Sequence, residues 1–252
     1  MKLSSYCSTA LIAMATVLLL APLGCAHAPG RPGPGPEVVR PEQVLDFQTL
    51  YKTNCAACHG VNGSGGPAIA LSNPVYLAYA GEATLRDVTT KGVPHKLMPA
   101  FASSAGGMLT AQQVNVLVNG MLQQWGKHAD FAGQAIPTYR PTQPGDPERG
   151  QQAFATFCAS CHGTNGEGKS ANSAGNSLGS IVDPAYLDLI SDQALRSFIV
   201  AGRPTQGMPD WRSDSTVPMT DQQITDIVAW IASKRTRNPG QPYPSQPHAS
   251  LP

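Results

Sequence analysis

Apolar residues recur at helical spacing near the end of each half of the chain. Both runs follow a Thr-x-x-Gln sequence, beginning at Thr110 and at Thr220, which is the pattern of a helix N-terminal capping box. The apolar positions behind these boxes are Val114, Leu117, Val118 and Met121 in the first half and Ile224, Ile227, Val228 and Ile231 in the second. The pattern predicts two similar amphipathic helices, one at the end of each half.

Shorter amphipathic segments lie near the start of each half. Their apolar positions are Val44, Phe47, Leu50 and Tyr51 in the first half and Phe154 and Phe157 in the second. Stretches rich in proline, glycine or polar residues separate these parts and predict a tether at 25–43, a linker at 128–145 and a disordered tail at 236–252. We therefore expect two small helical domains, at 44–127 and 146–235.

The two predicted domains are copies of one repeat. Asn73-Pro-Val-Tyr-Leu returns as Asp183-Pro-Ala-Tyr-Leu, an offset of 110 residues, and the pairs Leu-Arg, Met-Pro and the Thr-x-x-Gln box return at the same offset. The second copy is longer within the Ser-, Asn- and Gly-rich stretch 169–179, which we interpret as a longer loop.

Each copy contains one Cys-x-x-Cys-His sequence, the pattern by which a c-type haem is attached. The residues are Cys55, Cys58 and His59 in the first copy and Cys158, Cys161 and His162 in the second. The two thiols form thioethers with the porphyrin, and the histidine is close enough in sequence to reach the iron. Two motifs predict two covalently bound haem c groups.

A bare Cys-x-x-Cys could instead be half of a zinc site or a thiol–disulfide redox motif. Zinc requires a second pair of ligands for each motif, and the expected mature chain has no further cysteine to supply it. A thioredoxin-like motif belongs in an alternating β and α pattern, which this sequence lacks. The histidine that follows both motifs favours haem.

The sixth iron ligand can be inferred by aligning the repeats. Met98 and Met208 align, and each is followed by proline and then, two residues on, by an aromatic residue. The other methionines expected in the mature chain, which are Met108, Met121 and Met219, align with Pro218, Ile231 and Leu109. Thioether sulfur is a common sixth ligand, so we predict that Met98 and Met208 bind the two irons. The competing ligand His95 aligns with Thr205, so its use would make the two haems different.

The N-terminus resembles an export signal over residues 1–24, with Lys2 followed by an apolar run from Ala10 to Ala21 that is too short to span a bilayer. Cys25 ends a sequence similar to a bacterial lipoprotein signal and is the predicted lipidation site. Cleavage after Ala28 is the alternative. Cys7 would leave with the signal, so no thiol would remain for a disulfide. We expect the protein on the periplasmic side of a membrane, attached by lipid.

Charge excludes one class of partner. Only 13% of residues are charged and the net charge is +1, so there is no basic footprint for nucleic acid.

Each half resembles a class I cytochrome c domain, with a Cys-x-x-Cys-His helix, a Met-Pro ligand loop and a C-terminal helix. The resemblance implies a mostly α fold of two tandem helical domains, each wrapped around one covalent haem. The family also tends to pack a glycine and an aromatic residue of its first helix against an aromatic residue of its last. The second half offers Gly150, Phe154 and Trp230 for this contact. The first half matches only at Tyr51, with Phe47 and Gly120 at the other two positions.

The resemblance further implies a bacterial dihaem cytochrome that carries single electrons, either alone or as a subunit of a respiratory or photosynthetic complex. Its partners would be redox proteins: a membrane oxidoreductase complex, an oxidase or a soluble carrier. The alternative is a dihaem enzyme similar to peroxidases or sulfur-compound dehydrogenases, in which one haem is open to substrate. A gas or redox sensor is a third possibility, although no signalling domain is evident.

Overall fold

A computed structural model describes residues 35, 38–126, 131, 133–170, 177–212 and 217–236. The predicted signal sequence, the predicted lipidation site Cys25 and all but the first residue of the predicted tail lie outside these residues.

The first repeat contains four α-helices and two short 3-10 turns. The helices are α1 (Phe47–Asn54), α2 (Ala56–His59), α3 (Pro74–Lys91) and α4 (Ala111–Trp125), and the turns are Pro41–Gln43 and Ser103–Ala105.

The second repeat follows the same order. Its helices are α5 (Pro147–Phe157), α6 (Ala159–His162), α7 (Pro184–Leu189), α8 (Asp192–Ala201) and α9 (Asp221–Ala232), with one 3-10 turn at Pro204–Gln206. Beyond the helices, the described residues make three isolated β-bridges. The predicted mostly helical class is confirmed.

Both predicted capping boxes form. The Thr110 hydroxyl accepts a hydrogen bond from the Gln113 amide, and the Gln113 side chain accepts one from the Thr110 amide. Thr220 and Gln223 make the same reciprocal pair at the start of α9. These boxes satisfy amide groups that a helix N-terminus otherwise leaves without partners, which fixes where α4 and α9 begin.

One helix of the first repeat corresponds to two helices of the second. Gly81, inside α3, has φ +70° and ψ +162°, so its backbone is not helical and α3 is kinked there. The repeat equivalent of Gly81 is Ser191, whose hydroxyl accepts a hydrogen bond from the Ala194 amide and caps α8. Both repeats therefore interrupt the helix at the same position. The first does so with a glycine, which can adopt this backbone conformation, and the second with a serine that caps a new helix.

In each repeat the first helix packs against the last, and this crossing forms much of the core. The contact is tightest in the second repeat, between α5 and α9, where Phe154 lies 4.4 Å from Trp230 between ring centroids. The described residues from 41 to 236 form one compact unit, so the two repeats are in contact. No helix among the described residues combines the length and the apolar character that a membrane span requires.

Candidate haem-binding sites

The two Cys-x-x-Cys-His motifs have the same backbone geometry. Cys55 is both the C-cap residue of α1 and the N-cap residue of α2, with φ −119° and ψ −33°. Cys158 stands between α5 and α6 with φ −123° and ψ −32°. Each amide donates to the carbonyl four residues earlier, Tyr51 or Phe154, at 2.8 Å. The chain therefore makes one sharp change of direction at each first cysteine, and the short helix behind it carries the second cysteine and the histidine.

His59 is held in an orientation that suits an iron ligand. Its side chain is 8% exposed, and its Nδ1 lies 2.8 Å from the carbonyl oxygen of Ile69. Donation from Nδ1 to that carbonyl leaves Nε2 as the nitrogen that can bind a metal. Burial lowers the pKa of His59, which favours the neutral imidazole that ligation requires.

His162 differs from His59 in its second contact. Its Nδ1 is buried and makes no hydrogen bond within the part of the chain that the structure describes. The loop that follows it is the longer one predicted from the repeat, and residues 171–176 of that loop lie outside the described residues. Burial lowers the pKa of His162 as it does that of His59. A half-buried, neutral imidazole fits a residue whose Nε2 binds a metal, and its Nδ1 has no partner among the described residues.

The four cysteines of the motifs form no disulfides and fall into two matched pairs. Cys55 and Cys158 are half-buried, whereas Cys58 and Cys161 are exposed. Burial, with a smaller effect from the neighbouring thiol, raises the pKa of Cys55 to about 11 and that of Cys158 to about 12. A thiol–disulfide redox centre requires a lowered thiol pKa, so the raised pKa of these two thiols does not fit one.

A glycine with positive φ directly follows the histidine of each motif. Gly60 has φ +84°, and a Cβ there would lie 1.7 Å from the carbonyl oxygen of Ser64. Gly163, its counterpart, has φ +81°. In the first repeat the Tyr51 hydroxyl donates to the Gly60 carbonyl at 3.0 Å, so the end of α2 is tied back to α1. The chain can fold closely behind α2 only because no side chain is present at this turn.

The two Met-Pro segments are also built alike. Each follows a glycine at the end of a helix, Gly92 after α3 and Gly202 after α8, with φ +68° and +65°. The Val93 amide donates to the Met98 carbonyl at 2.9 Å, and the Arg203 amide donates to the Met208 carbonyl at 2.8 Å. Both methionines are half-buried. Met98 and Met208 therefore occupy equivalent positions in two loops that are closed by the same kind of backbone hydrogen bond.

The other candidate ligands occupy different surroundings. Met108 is 89% exposed, whereas Met121 and Met219 are buried in the core. His95 is exposed and has φ +59°, in the left-handed region. These positions agree with the repeat alignment, in which none of the four has an equivalent of its own type. The choice of Met98 and Met208 stays a prediction.

Two residues that served only to align the repeats in the sequence have a structural role that the sequence did not reveal. Asn73 and Arg196 are polar, almost fully buried and bonded across parts of the chain that are distant in sequence. Asn73 aligns with Asp183 and Arg196 with Arg86, so the repeat made both appear ordinary. The sequence offered one signal of this role. The two equivalent helix N-caps differ, with asparagine at 73 and aspartate at 183, and only asparagine has an N–H to donate.

Comparison with known proteins assigns a family to each repeat. Residues 147–235 match the cytochrome c family, and residues 42–119 match the family described as cytochrome c oxidase, cbb3-type, subunit III. These matches cover both Cys-x-x-Cys-His motifs.

Curated relatives extend over both repeats. The chain is 31% identical to the cbb3-type cytochrome c oxidase subunit FixP of Sinorhizobium medicae, over 69% of this chain and 58% of the relative. It is 29% identical to the cbb3-type cytochrome c oxidase subunit FixPc of Rhizobium leguminosarum bv. viciae, over 67% and 55%. A third relative is the cytochrome bc1 complex cytochrome c subunit of Corynebacterium diphtheriae, 27% identical over 77% and 68%. The chain spans only a little over half the length of the first two relatives.

Among solved structures, a chain of the reducing HAO-like protein complex of Kuenenia stuttgartiensis aligns with a TM-score of 0.39 at 18% identity. The alignment covers 80% of this chain and 99% of that one. Nothing about function follows from a likeness at this level.

Proposed function

Because this chain is a dihaem c-type cytochrome with two covalently bound haem c groups, we propose that it carries single electrons on the periplasmic side of a membrane. It would do so as a carrier or as a subunit of an electron-transfer complex. The observation that supports this most is the duplication of the whole site. Each repeat has a Cys-x-x-Cys-His helix and a glycine-capped Met-Pro loop.

The residues that would hold the two haems are the same in kind. The thioethers would be made by Cys55 and Cys58 in one domain and by Cys158 and Cys161 in the other. The proximal ligands would be His59 and His162, with Met98 and Met208 as the sixth ligands. When bound, the haem supplies the one-electron chemistry, and the protein adjusts its potential through ligand identity, burial and hydrogen bonding.

The chain's own contribution is to keep the ligands in place. The Ile69 carbonyl fixes the ring of His59, and the Val93–Met98 backbone bond closes the loop that presents the methionine. A site with both axial positions filled changes little when an electron arrives, which suits transfer rather than substrate turnover. Two equivalent loops therefore favour a carrier over an enzyme with one open haem.

Partners follow from the relatives, two of which are named as subunits of a cbb3-type oxidase and one as a subunit of a bc1 complex. We propose that this chain exchanges electrons with a membrane oxidoreductase complex, an oxidase or a soluble carrier. Lipid at Cys25, after removal of residues 1–24, would keep it beside such complexes.

Carbon monoxide binding tests the proposal. The haem-loaded protein is reduced with dithionite, and its optical spectrum is recorded before and after addition of carbon monoxide. We expect no change in the unmodified protein, because both sixth positions are filled. A carbon monoxide complex at one haem of the unmodified protein would overturn the proposal in favour of catalysis or sensing. Met98→Ala and Met208→Ala serve as positive controls, each opening one haem.

A further inference from the structure

The predicted linker makes specific contacts on both sides. Residues 136–140, which we call the strap, run between the two repeats, and Pro137 is buried. The Thr138 amide donates to the Asp221 carboxylate at 2.9 Å, at the start of α9. The Thr138 carbonyl accepts two hydrogen bonds from the Arg196 guanidinium, at 2.8 and 3.1 Å. The strap is therefore bonded through its backbone to the second repeat.

Arg196 is the centre of this attachment. It is 2% exposed, and besides the Thr138 carbonyl it donates to the Thr225 hydroxyl at 2.9 Å and to the Asp221 carboxylate. A buried guanidinium is tolerated only when its donors are satisfied, so loss of the strap would leave a buried charge short of partners. Its repeat equivalent, Arg86, lies nearer the surface and bonds to Glu82 and Asn115 of its own repeat.

The first repeat also contacts the strap, through Tyr79. The Tyr79 hydroxyl donates to the Tyr139 carbonyl at 3.0 Å, and the two rings lie 5.1 Å apart. The Gln193 amide nitrogen donates to that carbonyl at 2.8 Å and to the Tyr79 hydroxyl at 3.3 Å. One strap carbonyl is thus shared by a residue of each repeat.

A direct bond joins the repeats beside the strap. Asn73 caps α3 through Oδ1 and uses Nδ2 to donate to the Ala201 carbonyl, at the end of α8, at 2.7 Å. Its equivalent Asp183 makes the same kind of cap on α7, is exposed and has no N–H to donate. Asparagine at this position therefore caps α3 and also donates a hydrogen bond to the end of α8, whereas aspartate could only cap α3.

Near this contact, the Lys96 ammonium donates to the Asp188 carbonyl at 2.5 Å. Lys96 lies in the loop that ends at Met98, so the second repeat touches the ligand loop of the first. The arrangement of the repeats is thus connected to a haem site, and not only to the linker.

We propose that Arg196 and Asn73 are positioning residues that hold the two haem domains in one fixed arrangement, with the strap as a rigid connection. The proposal rests on the electron-transfer role above, which it deepens: electrons would pass between the two haems within the molecule at one fixed separation. Tunnelling falls steeply with distance, so a fixed separation sets a single rate of exchange.

Chymotrypsin cleavage after Tyr139 tests the geometry without using electron transfer. In the haem-loaded protein we expect this bond to be protected, and we expect Arg196→Ala and Asn73→Asp to raise its cleavage rate about tenfold or more. Arg196→Ala removes the hydrogen bonds to the Thr138 carbonyl, and Asn73→Asp removes the direct hydrogen bond that holds the two repeats together on either side of the strap. Arg196→Lys keeps a cation and should recover part of the protection. Arg86→Ala, the matched change in the other repeat, should cleave at the unmodified rate.

Arg196→Ala could unfold the second repeat, so a milder variant is needed. Tyr79→Phe keeps the ring contact and removes only the hydroxyl, and it should raise cleavage after Tyr139 while leaving the thermal midpoint nearly unchanged. Cleavage at the unmodified rate in both Asn73→Asp and Tyr79→Phe would overturn the proposal.

The rate of electron exchange between the haems provides the second readout. One haem is reduced by a short pulse of reductant and the approach to equilibrium is followed optically. We expect one phase in the unmodified protein, and a slower or multiphasic approach in Asn73→Asp with unchanged potentials. An unchanged single phase in that variant would contradict fixed positioning. If the strap opens as expected but the unmodified protein never exchanges electrons, positioning stands and the proposed carrier role fails.

Discussion

The ring of Phe47 occupies the space that a side chain at Gly120 would need: a Cβ on Gly120 would lie 2.1 Å from Phe47 Cδ2. In the second repeat the glycine is on the first helix instead, and a Cβ on Gly150 would lie 2.0 Å from the Asp226 carbonyl oxygen and 2.8 Å from Trp230 Cβ. Both repeats therefore cross their first and last helices closely, with the large and small residues exchanged. The departure of the first repeat from the family pattern is a complementary swap.

Gly120→Ala should destabilise the first domain. Alanine in a helix interior is normally favoured over glycine by about 0.5–1 kcal/mol, but here the added methyl would overlap an aromatic ring held by Tyr51 and Trp125. Overpacking of this kind costs about 1–3 kcal/mol. We expect a lower thermal midpoint, measured by the change in the haem absorption spectrum of the holoprotein as the covalently attached haem leaves its folded environment.

The double variant Phe47→Ala with Gly120→Ala separates the clash from any other effect. Removing the ring should make the Gly120→Ala change neutral or stabilising relative to Phe47→Ala alone, a non-additivity expected only for residues in contact. If Gly120→Ala lowers the midpoint equally in both backgrounds, the Phe47 contact is not its cause.

Met98→Ala and Met208→Ala should each lower the potential of one haem. Thioether ligation raises reduction potentials, so its loss should shift one of the two midpoints downward by about 0.1 V, a fraction of the roughly 0.8 V range that axial ligands cover. A spectroelectrochemical titration resolves the two midpoints, and each variant should move a different one.

Met108→Ala is the matched control, because this methionine is 89% exposed. Its two midpoints should equal those of the unmodified protein. Unaltered midpoints in Met98→Ala would show that another residue binds the first iron, and His95→Ala would be the next variant to titrate.

Local patterns could be read from the sequence, whereas contacts between distant residues could not. The capping box at Thr110 and the motif at Cys55 depend on residues a few positions apart, so their geometry follows from spacing alone. The bond between Arg196 and the Thr138 carbonyl spans 58 positions and uses a backbone atom, which no side-chain pattern reveals. The linker composition predicts only that 128–145 joins the two domains, because proline and glycine counts carry no information about what a carbonyl contacts.

Gly92→Ala should disrupt the loop that presents Met98. Glycine has φ +68° here, and a Cβ would lie 2.5–2.6 Å from backbone atoms of residues 98–100. With ψ −165°, Gly92 lies in a region that only glycine commonly adopts, where an L-residue costs about 1–3 kcal/mol, and the backbone overlap adds to this cost. We expect a lower thermal midpoint together with partial carbon monoxide binding at the first haem.

Gly81→Ala separates the two contributions. Gly81 has φ +70°, but a Cβ there would meet nothing within 4 Å. It should therefore show the conformational cost alone, with no carbon monoxide binding. Equal effects of the two variants on carbon monoxide binding would argue that the loop tolerates a side chain at 92.

The ion pair between Arg149 and Asp226 should make the second domain sensitive to acid. The Asp226 side chain is 4% exposed, and the Arg149 guanidinium contacts both of its oxygens at 2.8 and 3.0 Å. Burial alone raises the pKa of Asp226, but hydrogen bonds from Arg149, the Asp146 amide and Gln222 outweigh it and hold the pKa below its ordinary value. A depressed carboxyl pKa stabilises the fold above the unfolded value of about 4, and this stabilisation is lost as the pH falls through the folded value.

Asp226→Asn should therefore lower stability at pH 7 by about 2 kcal/mol, as expected for weakened hydrogen bonds to a buried charge. The difference from the unmodified protein should shrink as the pH falls from about 4, where the unfolded state becomes protonated, through the lower folded pKa, below which the carboxyl is protonated in both states. Denaturant unfolding of the holoprotein across this pH range measures the stability difference at pH 7 and its decrease in acid.

Glu82→Gln is the control. The partner of Glu82 is Arg86 and its side chain is 56% exposed, so we expect the free energy of unfolding to change by less than about 1 kcal/mol at every pH. A difference between Asp226→Asn and the unmodified protein that stayed constant down to pH 3 would mean that the Asp226 charge does not stabilise the fold.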